Sequence, residues 1–216
     1  LSILDLSANG NQPMYSHSRR FVMAYNGEIY NYAEIANELK LIKGDGKLNF
    51  TSSSDSEVIL EAFAHWGTDF VHKLNGMFAI AIYDTKEEEL FLFRDRIGIK
   101  PLYYYLNGND LVFASELKAI LKVATIPRVI NKEAIAQYLH LGFIPAPNSI
   151  YQSIYKLEQG SFLRIGKKGI DHQKYWSIKS SIHTDVIENE KKALVQLSDL
   201  TMSSVQYQLK SDVPFG

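Results

Sequence analysis

The stretch that decides the fold reads Phe21-Val22-Met23-Ala24-Tyr25-Asn26-Gly27-Glu28-Ile29-Tyr30-Asn31. Its first five residues are an apolar run typical of a β-strand, and apolar residues then recur at helical spacing up to Leu39. Asn31, with Glu34 three residues later, resembles a capping box, which marks the start of a helix. The stretch therefore predicts a strand, a polar junction and a helix in close succession.

A second helix start lies at Ser54-Asp55-Ser56-Glu57, which is a Ser-x-x-Glu box. The residues that follow, 58–63, are mostly apolar, and Gly67 is placed to end the helix. Asp55 would occupy the first helical position, where the helix N-terminus stabilises a carboxylate whether or not it binds a ligand.

The middle of the chain is rich in predicted strands. Residues 77–84 are almost wholly apolar and turn back into 90–93, which predicts a hairpin with both faces covered. Further strands are expected over 102–106, 111–114 and 161–165, and further helices over 116–122 and 132–141. Composition changes after Trp176, where a polar segment precedes a long amphipathic stretch over 186–209, so we expect a domain boundary near 177–185.

Composition excludes several classes of function. The 216 residues are 46% hydrophobic and 22% charged, as in ordinary globular proteins. The net charge of -1 and the scattered Lys and Arg residues argue against nucleic-acid partners. No apolar run approaches the roughly 18 residues of a membrane span, and the first residues lack a signal-peptide pattern. We therefore expect a cytoplasmic protein.

Two groups of residues could carry chemistry. Asn26 and Gly27 could place a side-chain amide and a backbone N–H at one spot, the donor pair that stabilises an oxyanion in acyl transfer. Asn-Gly after a strand is also a tight-turn signal, so the turn remains the alternative. Asp55 could hold a substrate ammonium by a charge-assisted hydrogen bond, or could simply match the helix dipole.

Other candidates favour structural roles. The six histidines show no metal-ligand spacing, so we expect surface or packing positions and no metal: His17, His65, His72, His140, His172 and His183. Arg94-Asp95-Arg96 is expected to form an ion-paired structural corner. The sequence contains no cysteine, which removes disulfides and a thiol nucleophile from these residues.

The order of the motifs resembles the class II glutamine amidotransferase domain of asparagine synthetases. The resemblance covers nearly the whole chain and rests on motifs at these positions: 1–6, 11–14, 25–31, 54–59, 75–79, 94–104, 113–119 and 156–160. It implies an α+β fold, the four-layer αββα sandwich of N-terminal-nucleophile hydrolases, over residues 1–180. Residues 181–216 would begin an ATP-dependent synthetase domain, starting with its first helix.

Residue roles follow from the same resemblance. Asn26 and Gly27 would form the oxyanion hole, and Asp55, with Glu28 beside it, would hold the α-amino group of glutamine. Ser2, Ile3 and Leu4 would line the glutamine pocket. The family's nucleophile is an N-terminal cysteine whose own α-amino group acts as the base, and an arginine before Leu1 would bind the glutamine carboxylate. Neither is among these residues, so the chain is expected to be an excerpt truncated at both ends and inactive by itself.

For the parent protein, the resemblance implies a ligase. Glutamine would be hydrolysed here, and the ammonia would attack an adenylated aspartate in a second domain that binds ATP and Mg²⁺. Three alternatives stay open: a β-lactam synthetase-like relative, a non-catalytic binding domain, and an amidotransferase acting on a sugar or cell-envelope precursor. A homodimer is also left open.

Overall fold

A computed structural model describes residues 10–44, 48–108, 110–182 and 187–209. The described chain divides into two compact units. The first comprises residues 10–22, 28–76 and the part after Tyr175, and the second comprises residues 23–27 and 77–175. Strand β2 (Phe21–Ile29) runs through both of them.

Helices dominate the first unit. They are α1 (Tyr32–Lys43), α2 (Asp55–Trp66), a 3-10 helix (Gly67–Lys73), α5 (Ile178–Ser181) and α6 (Glu190–Gln208), and a short strand β1 (Met14–Tyr15) precedes β2. Phe63 on α2 packs edge to face between Phe21 and Phe70, with ring centroids 5.1 and 5.4 Å away. These fully or nearly buried rings anchor α2 in the core of the unit.

The start of α2 confirms Ser54 as the cap residue but not the predicted capping box, because Glu57 binds Thr51 and Ser52 and the Ser54 N–H donates to the Ser52 hydroxyl. The Ser54 hydroxyl accepts a hydrogen bond from the Ser56 N–H at 3.1 Å, and Gly67 ends the helix at a φ of 58°. The first nine residues of the helix, from Asp55 to Phe63, are all buried. The capping residue and the apolar run therefore fix both the position of Asp55 and its burial.

The start of α1 corrects one prediction. Asn31 is the N-cap residue, but its side chain makes no capping hydrogen bond. It accepts from the Asn75 N–H and donates to the Lys73 carbonyl, both at 2.9 Å. The capping box predicted from Asn31 and Glu34 is wrong because the Asn31 amide binds the end of the 3-10 helix instead.

Most strands of the second unit belong to two sheets. The chain continues through β3 (Gly76–Asp84), β4 (Glu89–Arg94), β5 (Tyr103–Asn107), β6 (Asp110–Ala114), α3 (Leu117–Ile120), α4 (Lys132–Leu141), β7 (Ile154–Lys156), β8 (Ser161–Gly166) and β9 (Gly169–Lys174). The larger sheet has the strand order β1-β2-β3-β4-β8-β9, and the smaller has the order β6-β5-β7. The predicted hairpin is confirmed as the antiparallel pair β3–β4, and β5–β6 is a second one.

The two sheets of this unit pack face to face. One cluster joins Ala81 and Leu92 of the larger sheet to Tyr104 and Phe113 of the smaller one. A second cluster, which includes Ile120, lies between the smaller sheet and α3. This packing of sheets with helices confirms the α+β class.

The strands also show where local patterns mislead. Asn26 and Gly27 lie inside β2, which continues to Ile29, so the tight turn considered for them does not form. The predicted helix over 116–122 is a single turn in α3. Strands β1, β7 and β9 and the 3-10 helix were not predicted, since each is short or, like β9, exposed along its length.

Two features concern surfaces. The helices in the described ranges include none with the length and hydropathy to cross a membrane. The long amphipathic stretch is confirmed as α6, whose residues are nearly all exposed.

Candidate functional site

Strand β2 carries three of the predicted site residues in succession. Asn26 is exposed, Gly27 is half-buried and Glu28 is buried. An extended strand turns successive side chains to opposite faces, so the Asn26 side chain and the backbone of Gly27 are presented within one rigid element.

Gly27 has no room for a side chain. A Cβ atom at this position would lie 2.1 Å from the Met77 carbonyl oxygen and 2.7 Å from the Phe78 Cα, both in the neighbouring strand β3. Such distances are far inside van der Waals contact, so glycine is needed for close packing of the two strands. The sequence offered a tight turn as the structural role of this residue, and the structure shows a close approach between two strands instead.

Ser115 binds the carboxamide of Asn26. The Asn26 Nδ2 donates to the Ser115 Oγ at 3.1 Å, and Ser115 directly follows β6. A carboxamide nitrogen carries two hydrogens, so this contact uses one and orients the other. Ser115 stands in one of the motifs behind the resemblance, but sequence reasoning gave it no role, because 89 residues separate it from Asn26.

Asp55 lies beside the end of the same strand. Asp55 is only 4% exposed, and its Oδ2 accepts a hydrogen bond from the Ile29 N–H at 2.9 Å. The hydroxyls of Ser54 and Ser56 lie 3.5 Å from its Oδ1. The carboxylate thus sits at the N-terminus of α2, where the helix dipole favours negative charge.

The predicted residues are therefore brought together only in part. In the first unit, Asp55 contacts the residue that follows Glu28 in the chain. Asn26 and Gly27 precede Glu28 in the same strand without a break. Ser2, Ile3 and Leu4, predicted to line the glutamine pocket, lie outside the described residues.

Glu57 is a residue that sequence reasoning assigned only to the capping box. Its buried carboxylate accepts hydrogen bonds from Thr51 and Ser52 and contacts His17 Nε2 at 2.6 Å. Burial opposes the charged form, but the donated hydrogen bonds of Thr51, His17 and Ser52 outweigh it and lower the pKa of Glu57. His17 was expected to have a surface or packing role, and the structure adds its contact with Glu57 to that expectation.

The corner at Arg94-Asp95 is structural, but backbone groups rather than ion pairs make most of its contacts. Asp95 is fully buried and accepts from the backbone N–H groups of Phe78, Ile99 and Lys100 at 3.2, 2.9 and 2.9 Å. The Arg94 guanidinium donates to three carbonyl oxygens, including that of Leu157 at 2.6 Å. Burial lowers the pKa of Arg94, against the attraction of Asp95. This corner fixes the loop between β4 and β5.

The described ranges contain no candidate metal site. Within them, no three or more His, Asp or Glu side chains are grouped as a metal site would need. The acidic side chains described above are instead engaged with backbone donors and with His17.

Several known proteins are similar to this chain. Residues 1–176 match the family model described as "Glutamine amidotransferase domain". Asparagine synthetase 1 (glutamine-hydrolysing) of Bacillus subtilis is 36% identical over the whole chain, and asparagine synthetase 3 of the same organism is 33% identical over 99% of it. A Methanocaldococcus jannaschii protein, provisionally named glutamine-hydrolysing asparagine synthetase 2, is 38% identical over the whole chain.

Coverage of these relatives is partial. The chain spans 44% of the Methanocaldococcus jannaschii protein and 33% and 34% of the two from Bacillus subtilis. It is a counterpart of one part of those proteins.

Solved structures share the fold. Glutamine phosphoribosylpyrophosphate amidotransferase from B. subtilis superimposes with a TM-score of 0.54 at 21% identity, covering 80% of this chain and 33% of that one. A structure described as the allosteric regulatory enzyme of purine biosynthesis gives a TM-score of 0.53 at 22% identity, covering 76% of this chain and 31% of that one. These likenesses confirm the predicted fold of the N-terminal-nucleophile hydrolase type. The family match over residues 1–176 shows that the chain belongs to the glutamine amidotransferase domain family.

Proposed function

We propose that this chain is the glutamine-hydrolysing part of an asparagine synthetase. The observation that carries the proposal is the run of Asn26, Gly27 and Glu28 in β2, which leads directly to the Ile29 N–H bound by Asp55. The similarity to asparagine synthetases over the whole chain supports the same assignment.

Each residue of this run has a chemical role in the proposal. The buried Asp55 carboxylate binds the α-ammonium group of glutamine, a charge-assisted contact of about 1.5–3 kcal/mol. The Asn26 amide and the Gly27 N–H donate to the oxyanion that forms when the glutamine amide is attacked. Glu28 lies beside the ammonium site. The resemblance assigns the attack itself to a cysteine thiolate, a residue type that this sequence does not contain.

The use of the ammonia belongs to the parent protein. In the proposal, a synthetase domain that begins near residue 181 binds ATP, Mg²⁺ and aspartate, and α6 is its first helix. Ammonia from glutamine attacks the adenylated aspartate there, in the cytoplasm. The partial coverage of the relatives supports a longer parent chain.

Transfer of labelled nitrogen tests this function in the full-length protein. Glutamine labelled with ¹⁵N in its amide is supplied with ATP, Mg²⁺ and aspartate, and the products are analysed by mass spectrometry. We expect unlabelled glutamate, together with asparagine that carries the label in its side-chain amide. Release of glutamate without labelled asparagine would contradict aspartate as the acceptor. No release of glutamate would contradict the glutaminase assignment.

A further inference from the structure

The Glu57 carboxylate is bound from several sides by the loop that precedes α2. The Thr51 N–H lies 2.9 and 3.0 Å from its two oxygens, and the Ser52 N–H lies 2.7 Å from Oε2. The hydroxyls of Thr51 and Ser52 donate to the same carboxylate at 3.1 and 2.8 Å. One side chain therefore satisfies two backbone and two hydroxyl donors of adjacent residues.

These contacts replace the usual geometry of a capping box. In such a box, the third helical residue would reach back to the N–H of the N-cap, here Ser54. Glu57 instead reaches two and three residues further back, and the Ser54 N–H donates to the Ser52 hydroxyl at 3.3 Å. The loop over residues 51–54 is thus folded against the helix that it introduces.

The folded loop determines where Asp55 begins the helix. Asp55 follows Ser54 directly, and its Oδ2 must meet the Ile29 N–H at 2.9 Å. A shift of 1 Å in the loop would break that contact and move the carboxylate, because hydrogen bonds weaken steeply beyond normal distances. Positioning of a binding group to this tolerance is what a preorganised site requires.

We propose that Glu57 is a positioning residue for glutamine binding, because it clamps residues 51–54 and thereby holds Asp55 at the end of β2. The inference rests on the proposed function, in which Asp55 binds the glutamine ammonium. His17 completes the clamp on the outer side of the carboxylate, with its Nε2 2.6 Å from Oε1.

Glu61 offers a matched control one helical turn further on. It is equally buried, and it accepts from the His17 N–H at 2.8 Å and pairs with Lys43 at 3.4 Å. Among the described residues, its contacts are with His17 and Lys43 and not with the loop over residues 51–54. Glu61→Gln should therefore reproduce the general cost of altering a buried carboxylate on α2 without disturbing Asp55.

Steady-state kinetics of the full-length protein test the inference. Glu57→Gln keeps the shape of the side chain but replaces one acceptor oxygen with a donor, so we expect KM for glutamine to rise about tenfold or more, as loss of about one good hydrogen bond would predict. The maximal rate with saturating glutamine and the ammonia-dependent rate should change little. Glu61→Gln should leave KM for glutamine unchanged, even where it lowers the melting temperature.

Two further variants keep the result decisive. Ser52→Ala removes only the 2.8 Å hydroxyl contact to Glu57, so it should raise KM severalfold in a stably folded protein. Asp55→Asn tests the proposed function itself, because Asp55 is the residue proposed to bind the glutamine ammonium, so this variant should raise KM. If Asp55→Asn raises KM while Glu57→Gln and Ser52→Ala do not, the positioning role is overturned and the function stands. If Glu57→Gln and Glu61→Gln shift KM alike, the positioning role is likewise overturned, and if Asp55→Asn has no effect, both assignments are.

Discussion

Single residues in β2 are constrained by packing as well as by proposed chemistry. Gly27 lies against the β3 backbone so closely that even a methyl group would collide with the Met77 carbonyl. Asn26, its neighbour, is exposed, and its carboxamide donates to the Ser115 hydroxyl. One strand thus combines a position with no steric freedom and a side chain oriented by one described hydrogen bond.

Gly27→Ala should destabilise the fold. Backbone atoms of β3 cannot move aside as a flexible side chain could, so we expect a loss of at least about 1–3 kcal/mol in the free energy of unfolding. Urea unfolding followed by circular dichroism measures it. Ala24→Ser, at an exposed position of the same strand, is the control and should change the free energy by less than about 0.5 kcal/mol. Equal effects of the two variants would contradict the close approach described for Gly27.

Ser115→Ala should slow glutamine hydrolysis without weakening glutamine binding. Loss of the hydroxyl frees the Asn26 carboxamide to rotate, and a neutral hydrogen bond of about 1 kcal/mol corresponds to roughly a fivefold loss in kcat. Kinetics of the full-length protein measure kcat and KM separately. Ser115→Thr keeps the hydroxyl and should retain most of the rate. A rise in KM with kcat intact would show that Ser115 acts elsewhere.

At the scale of elements, α2 is the helix that organises the first unit. Its cap, its buried face and its N-terminal carboxylate were readable from Ser54-Asp55-Ser56-Glu57 and the apolar run behind it. The partners of Glu57 were not readable, because His17 lies 40 residues away and only folding brings it to 2.6 Å. Local pattern therefore predicted the helix, and long-range contacts decided what its side chains do.

Acid should destabilise this element through Glu57. Its pKa is lowered in the folded protein from the ordinary value of 4.5, because donated hydrogen bonds outweigh burial. A lowered pKa contributes stability that is fully present above about pH 4.5 and is lost as the pH falls through the folded-state value. His17, Lys43 and Glu61 are the other titratable groups in the contacts around it.

Thermal unfolding between pH 3 and pH 7 measures this contribution. In Glu57→Gln we expect a lower melting temperature at pH 7 and a flatter decline below about pH 4.5, since the variant side chain does not titrate. Glu88→Gln is the control, because Glu88 is exposed and its pKa is lowered by Lys167 at the surface, where solvent screens the pair. A wild-type acid decline that persists in Glu57→Gln would contradict the role of Glu57.

The same elements show the limits of sequence patterns. The hairpin β3–β4 was predictable, because an almost unbroken apolar run over 77–84 can only be a strand buried on both faces or a buried helix, and the turn after it selects the strand. Asn26-Gly27 was ambiguous, because the same dipeptide serves a tight turn and a close approach between strands. The outcome depended on β3, which lies 50 residues further along the chain.

At the scale of the whole molecule, the last described helix, α6, has no buried residue. Leu197 and Leu200 on α6 are 62% and 70% exposed, and the Tyr207 hydroxyl of this helix donates to Glu34 at 3.0 Å. The boundary predicted near 177–185 and the assignment of α6 to a second domain stay predictions. They predict that the exposed leucines of α6 are buried against a second domain in the full-length protein.

Replacing both leucines by glutamine should leave this chain unaffected. Exposed substitutions usually change the free energy of unfolding by less than about 0.5 kcal/mol, whereas Leu39→Ala in the buried core should cost about 2–5 kcal/mol. In the full-length protein, the double variant Leu197→Gln/Leu200→Gln should lower the melting temperature if α6 begins a second domain. The same melting temperature as the unmodified full-length protein would contradict that assignment.

The proposed hydrolysis of glutamine depends on Asn26 and Gly27 in β2 acting as oxyanion donors. The most direct test is the glutaminase activity of the full-length protein with Asn26→Ala, measured as glutamate released, beside the ammonia-dependent synthesis of the same variant. Loss of one oxyanion donor is expected to lower glutaminase kcat by about 10²–10³ while ammonia-dependent synthesis is spared. Equal loss of both activities, or undiminished glutamine hydrolysis, would contradict the assignment.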